Sequence, residues 1–132
     1  MADSQLDAIV SRFACTDLVH TYARLIRSDQ PEHIAALFTE DGVWCAPYRS
    51  ATGPAEIEAW LKQSVPPSPK RMHYVMNSVI NIDGINADAK SNYLVMVEGP
   101  DGPVPSVCGS YVDRLVRTPA GWKVSTRNID PA

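Results

Sequence analysis

From Gln5 to Ser28 the apolar residues Leu6, Ile9, Val10, Phe13, Ala14, Leu18, Tyr22, Leu25 and Ile26 recur at steps of three and four, with Asp7, Arg12, Asp17 and Arg24 at other positions. That period predicts one long amphipathic helix, with Asp3 or Ser4 as its N-cap. Pro31 suits the first turn of a short second helix, Pro31 to Phe38, whose apolar face is Ile34, Leu37 and Phe38. Thr39-Glu40-Asp41-Gly42 ends it, and the aromatic and β-branched run from Val43 to Tyr48 follows as a short strand. Pro47 places that strand at an edge or a bulge. Gly53-Pro54 then opens a third helix that runs to Gln63 and stops before Pro66-Pro67-Ser68-Pro69.

Beyond Lys70 the period changes to two. Strands are expected over Arg71 to Asp83, Ala87 to Glu98, Val104 to Arg117 and Trp122 to Ile129. Turn-rich segments separate them: Asp83 to Asn86, Gly99 to Pro103 and Thr118 to Gly121. Long strands joined by short turns form an antiparallel meander. Helices first and sheet afterwards is an α+β order, and a strongly bent sheet wrapped on helices leaves a concave interior.

Composition narrows the function classes. A chain of 132 residues suits one domain with one substantial core, and no apolar run approaches the roughly 20 residues that span a bilayer. A formal charge of -3 supplies no basic stripe for phosphates, so neither nucleic acid nor an acidic membrane surface is expected as a partner. Cys15, Cys45 and Cys108 are odd in number and far apart, which reads as reduced packing thiols in a cytoplasmic protein. The start of the chain carries no targeting pattern. His20, His33 and His73 are scattered and none pairs with a cysteine at metal-site spacing, so no metal is expected. Gly-rich phosphate cradles and Gly-x-Ser-x-Gly elbows are absent from the sequence.

Six short motifs, in this order, carry a resemblance: Asp17-Leu18-Val19-His20-Thr21-Tyr22-Ala23, Leu37 to Trp44, Gly53-Pro54-Ala55-Glu56-Ile57, Met72-His73-Tyr74-Val75-Met76-Asn77, Gly109-Ser110-Tyr111-Val112-Asp113, and Gly121-Trp122-Lys123-Val124 with Arg127. Together they resemble the SnoaL-like branch of the nuclear-transport-factor-2-like superfamily, which includes scytalone dehydratase, hexachlorocyclohexane dehydrochlorinase and polyketide cyclases. The resemblance implies a cone-shaped α+β fold, N-terminal helices packed on a strongly curved, mostly antiparallel sheet, and a homodimer. It also implies cofactor-independent acid/base chemistry, as a lyase or isomerase, on a small apolar oxygenated substrate. Because the superfamily also hosts subunits without chemistry, a non-catalytic binding or accessory domain is the alternative.

His73 aligns with the histidine those enzymes use as base, and a histidine near neutrality both takes and returns a proton. The aspartate that orients it in those enzymes falls at Arg27 in this chain, with Asp29 two residues on. Glu98, at the end of the next strand, is a candidate second acid/base group; its other reading is a solvated glutamate beside the turn. Tyr22, on the inner stripe of the first helix with Ile26 one turn later, is a candidate donor to a substrate oxygen or a plain core aromatic. Trp44, Tyr48, Met76, Met96 and Tyr111 supply walls for a pocket, and Asn77 is placed to orient a ligand oxygen. Asp113 is expected to pair with its neighbour Arg114, and Arg127 with an acidic neighbour, as structural ion pairs.

Overall fold

The computed structural model describes residues 2–26, 30–64 and 71–131. Arg27, Ser28, Asp29 and the Pro66 to Pro69 cluster lie outside the described residues. Helix α1 spans Ala2–Leu25, α2 Pro31–Ala35 and α3 Gly53–Ser64. Six strands, β1 Phe38–Ala46, β2 Arg49–Thr52, β3 Met72–Asp83, β4 Asn86–Gly99, β5 Gly102–Thr118 and β6 Gly121–Ile129, form one sheet in the order β2-β1-β6-β5-β4-β3. All pairings are antiparallel except β1 with β6. This is the curled sheet under N-terminal helices that the meander and helix periods predict.

Several boundaries moved. Asp3 and Ser4 lie within the first turn of α1, which begins at Ala2. The second helix ends at Ala35, and Phe38 already belongs to β1 together with the Thr39 to Gly42 segment read as a turn. The parallel register of β1 on β6 slips between Phe38 and Val43, and this irregularity absorbs the turn-forming residues into a strand. Strand β2, four residues of little apolar content, carried no period for a pattern reading to find.

Helix α1 buries one of its two apolar sides. Cys15, Leu18, Val19, Tyr22 and Ile26 face the sheet, whereas Leu6, Ile9, Val10 and Phe13 are 54–69% exposed, against expectation. The core lies between α1, α2 and α3 and the concave face, where Ile34, Ile57, Leu61, Ile80, Ala89, Leu115 and Val124 meet. Each large aliphatic side chain buried there is worth about 1.5–3 kcal/mol. Cys15 is buried and Cys45 half-buried, while Cys108 is exposed. Among the described residues no helix is long and apolar enough to cross a membrane.

The sheet bends at bulges. Between Met76 and Val79, β3 carries one residue more than β4, and Asn77 takes φ 55° there. Asparagine tolerates this left-handed conformation better than most L residues. A second extra residue, Ser106 in β5, falls opposite the Val95/Met96 step. Pro103 and Pro105 also sit in β5, in the portion that extends beyond the end of β6 and pairs only with β4. An edge is where a strand tolerates residues without an N–H.

Candidate functional site

The inner face of the meander starts with a charge. Asp113 on β5 and Arg127 on β6 are directly opposite in the antiparallel register, and both are essentially inaccessible, at 0% and 1% exposure. The guanidinium binds the carboxylate bidentately, Nε to Oδ1 at 2.9 Å and Nη2 to Oδ2 at 2.8 Å. Such a fork is among the strongest neutralising geometries available to a buried carboxylate. Burial works against the Arg127 charge, but Asp113 outweighs it and holds the guanidinium firmly protonated. The flat cation is sandwiched between aromatic rings, 4.1 Å from the Tyr22 centroid on α1 and 3.8 Å from the Tyr111 centroid on β5.

Two further groups complete the cluster. Trp44 on β1 donates its indole N–H to the Tyr22 hydroxyl at 3.0 Å. Because an indole only donates, Tyr22 is the acceptor there and keeps its own hydrogen to donate elsewhere. His73, the second residue of β3, places Nε2 2.9 Å from the Tyr111 hydroxyl. Its ring lies 2° from parallel with Tyr111 and 19° from parallel with Tyr93, and those two tyrosines stack at 4.6 Å.

Burial, then the Arg127 and Arg71 cations, push His73 down to about 4. At neutral pH the imidazole is therefore uncharged. Burial raises Tyr22, with Arg127 and the Trp44 N–H pulling the other way. Tyr111 is raised well above the ordinary phenol value, again chiefly by burial. The resting cluster thus holds one neutral acceptor, two protonated phenols and a fixed cation behind them.

Tyr22, Trp44, His73, Tyr93, Tyr111 and Asp130 share a cavity of about 290 Å³. That is at the small end of the ~300–1,000 Å³ common for small-molecule sites. Ile26, Tyr48 and Arg71 also line it. Of the residues singled out in the sequence, Tyr22, Ile26, Trp44, Tyr48, His73 and Tyr111 therefore come together.

Glu98, Met76, Asn77 and Met96 do not line this cavity. Along β4 the buried positions are Ala87, Ala89, Ser91, Tyr93 and Val95, so the alternation puts Met96 and Glu98 together, as expected, but on the outer face. Glu98 is exposed and lies opposite Pro103 near the β4–β5 turn. Met76 is exposed because, three residues from His73, it lies on the opposite face of β3, whereas Asn77 is exposed because the bulge breaks the alternation that would have kept it on the side of His73. Arg27, which stands at the position of the family's orienting aspartate, and Asp29 two residues on lie outside the described residues.

Sequence reasoning gave no site role to Asp130 or Arg71, paired Asp113 with Arg114 where the structure pairs it with Arg127, and treated Arg127 as merely structural. Alternation through Tyr93 and Tyr111 points inward at Arg127 only once the β5–β6 register is known. Asp130 follows a strand end and gives no periodic signal. Among the described residues no three His, Cys, Asp or Glu side chains gather in a metal-binding arrangement.

A family model described as a SnoaL-like domain matches residues 7–128. Among solved structures, an NTF2-like protein with a cystatin-like fold from Novosphingobium aromaticivorans superposes with a TM-score of 0.89 at 21% identity, covering 97% of this chain and 86% of its own. A candidate scytalone dehydratase from Novosphingobium aromaticivorans superposes with a TM-score of 0.78 at 27% identity, over 98% of this chain and 87% of that one. LinA gives a TM-score of 0.83 at 21% identity, over 96% and 88%. No curated protein matches the sequence.

Proposed function

Since the chain belongs to the SnoaL-like domain family, we propose that its cavity performs cofactor-independent proton transfer, as a lyase or isomerase, on a small oxygenated ring compound. The observation that carries this reading is the convergence of His73, Tyr22 and Tyr111 on one cavity, with the Arg127 cation against both phenol faces. Neutral His73 takes a proton from the carbon next to a carbonyl. The spare hydrogen of Tyr22 meets the carbonyl oxygen as it gains negative charge. The protonated imidazole then returns its proton to a departing hydroxyl, which leaves as water, or to another carbon.

A histidine held near 4 is a weak base in the empty site. Its imidazolium is disfavoured by burial and by two cations, and it gains a partner only when the enolate forms beside it. Stabilisation that appears only with the developing charge favours the transition state over the ground state.

Bicyclic β-hydroxy ketones are suitable probes, with water loss followed by the absorbance of the conjugated product. His73→Ala in a folded protein is expected to abolish turnover; unchanged turnover would remove the mechanism. One observation favours a second reading, binding without turnover: no carboxylate among the described residues hydrogen-bonds His73 to raise its basicity. We also propose a homodimer through the outer sheet face, where Tyr74, Met76 and Val79 are exposed; sedimentation of the purified protein tests it.

A further inference from the structure

Strand β6 ends at Ile129, and the next residue, Asp130, turns into the left-handed region at φ 50°. Its amide donates to the Ser110 carbonyl at 2.8 Å and ties this turn to β5. Its carboxylate is held at both ends. Oδ1 accepts the Ser110 amide at 2.9 Å, and Oδ2 accepts the Tyr93 hydroxyl at 2.8 Å. An ionised carboxyl offers about four acceptor directions, so each oxygen retains one for a further donor.

This placement depends on a neighbour with no side chain. A Cβ at Gly109 would collide with the Asp130 carboxylate and lie 2.8 Å from the Tyr93 hydroxyl. Glycine there lets the carboxylate lie across β5 to reach Tyr93, whose ring is stacked on Tyr111. Burial and the bond to Asp130 both keep the Tyr93 proton in place, so the phenol remains a donor to the carboxylate. A strained backbone, two fixed hydrogen bonds and a clearance at Gly109 thus aim one acidic group at a cavity otherwise walled mainly by aromatic and aliphatic side chains.

We propose that Asp130 is the specificity-determining acceptor of this cavity: it takes the O–H of a neutral hydroxyl carried on the ring of the bound molecule. That contact sets which end of the molecule faces His73. A neutral donor is favoured over an ammonium because Arg71 lines the same cavity and opposes a second cation. The assignment rests on reading the cavity as a small-molecule site, and it does not require turnover.

Chemical-shift titration of the protein with 2-naphthol, 2-methoxynaphthalene and 2-naphthylmethylammonium tests it. The wild type is expected to bind the naphthol roughly tenfold more tightly than its methyl ether, the size of one hydrogen bond to a charged group. Asp130→Asn, nearly isosteric, is expected to bring that ratio close to one. Gly109→Ala displaces the carboxylate without removing it and is expected to lower the ratio as well, which covers the case in which Asp130→Asn does not fold. An unchanged ratio in the folded variants, or tighter binding of the ammonium, overturns the assignment. If no probe binds the wild type, the small-molecule reading of the cavity falls and this assignment falls with it. If the naphthol preference appears as stated but no hydroxy ketone is turned over, the lyase or isomerase reading alone falls.

Discussion

Replacing His73 with glutamine is expected to remove much of the acid sensitivity of folding between pH 6.5 and 4. The folded imidazole is held at about 4, against 6.5 for an unperturbed histidine, by burial and by the Arg127 and Arg71 cations. Throughout that interval the unfolded chain binds a proton that the folded chain refuses. The neutral ring therefore contributes stability that is fully present above about pH 6.5 and drains away as pH falls toward 4. A shift of that size corresponds to about 3 kcal/mol over the whole window and about 2 kcal/mol by pH 5. Partial solvent access to the ring makes these upper values.

Urea denaturation of the wild type and His73→Gln, each at pH 7.5 and pH 5, isolates the effect, because His20, His33 and the carboxylates are common to both proteins. The wild type is expected to lose about 2 kcal/mol more than the variant between the two conditions. Any constant cost of weakening the bond to Tyr111 cancels in that difference. Equal losses in the two proteins would show that the histidine is not held neutral by its surroundings, and the electrostatic account of the site would fail.

Arg127→Met strands a fully buried Asp113 and should cost about 3–5 kcal/mol in chemical denaturation, with Asp113→Leu in the same chain restoring most of it. Tyr22→Phe leaves the ring against Arg127 but removes the hydroxyl, so turnover of a processed hydroxy ketone should fall roughly a hundredfold with a smaller change in KM. Asn77→Val at φ 55° should destabilise by about 1–2 kcal/mol while Asn77→Gly is tolerated, measured by thermal unfolding. The acid limb of the kcat/KM profile should fall near pH 4, not 6.5, because the free protein needs His73 only in its neutral form.

Part of the site was readable before any coordinates. Tyr22 and Ile26 share a helical stripe, and the alternation through His73 and Tyr111 follows the strand period, so these residues could be named and do line one cavity. Glu98 failed for a specific reason. Period two says which residues of a strand share a face but not which face is concave, and in β4 the Tyr93 set faces inward. Asn77 failed because one extra residue in β3 reverses the alternation, and a bulge of this kind leaves no hydrophobic signature. Leu6, Ile9, Val10 and Phe13 recur at helical steps, but at about 3.6 residues per turn they fall on the side of α1 opposite Leu18, Tyr22 and Ile26. Ser11 at the same level is buried and Arg117 of β5 reaches Asp7, so it is the side of the helix that leaves them exposed.

By itself the sequence determined the element types, the meander and the resemblance to a family, because helix and strand periods, turn residues and motif order are local properties of the chain. The tertiary structure decided the chemistry. Arg127 faces Asp113 only through the β5–β6 register, it lies between Tyr22 and Tyr111 only because α1 crosses the concave face, and Asp130 reaches Tyr93 only past Gly109. Each of these contacts joins residues far apart in the chain. Their effect, a neutral histidine among protonated phenols, comes from burial and fixed charge, which exist only once the sheet has closed over the site.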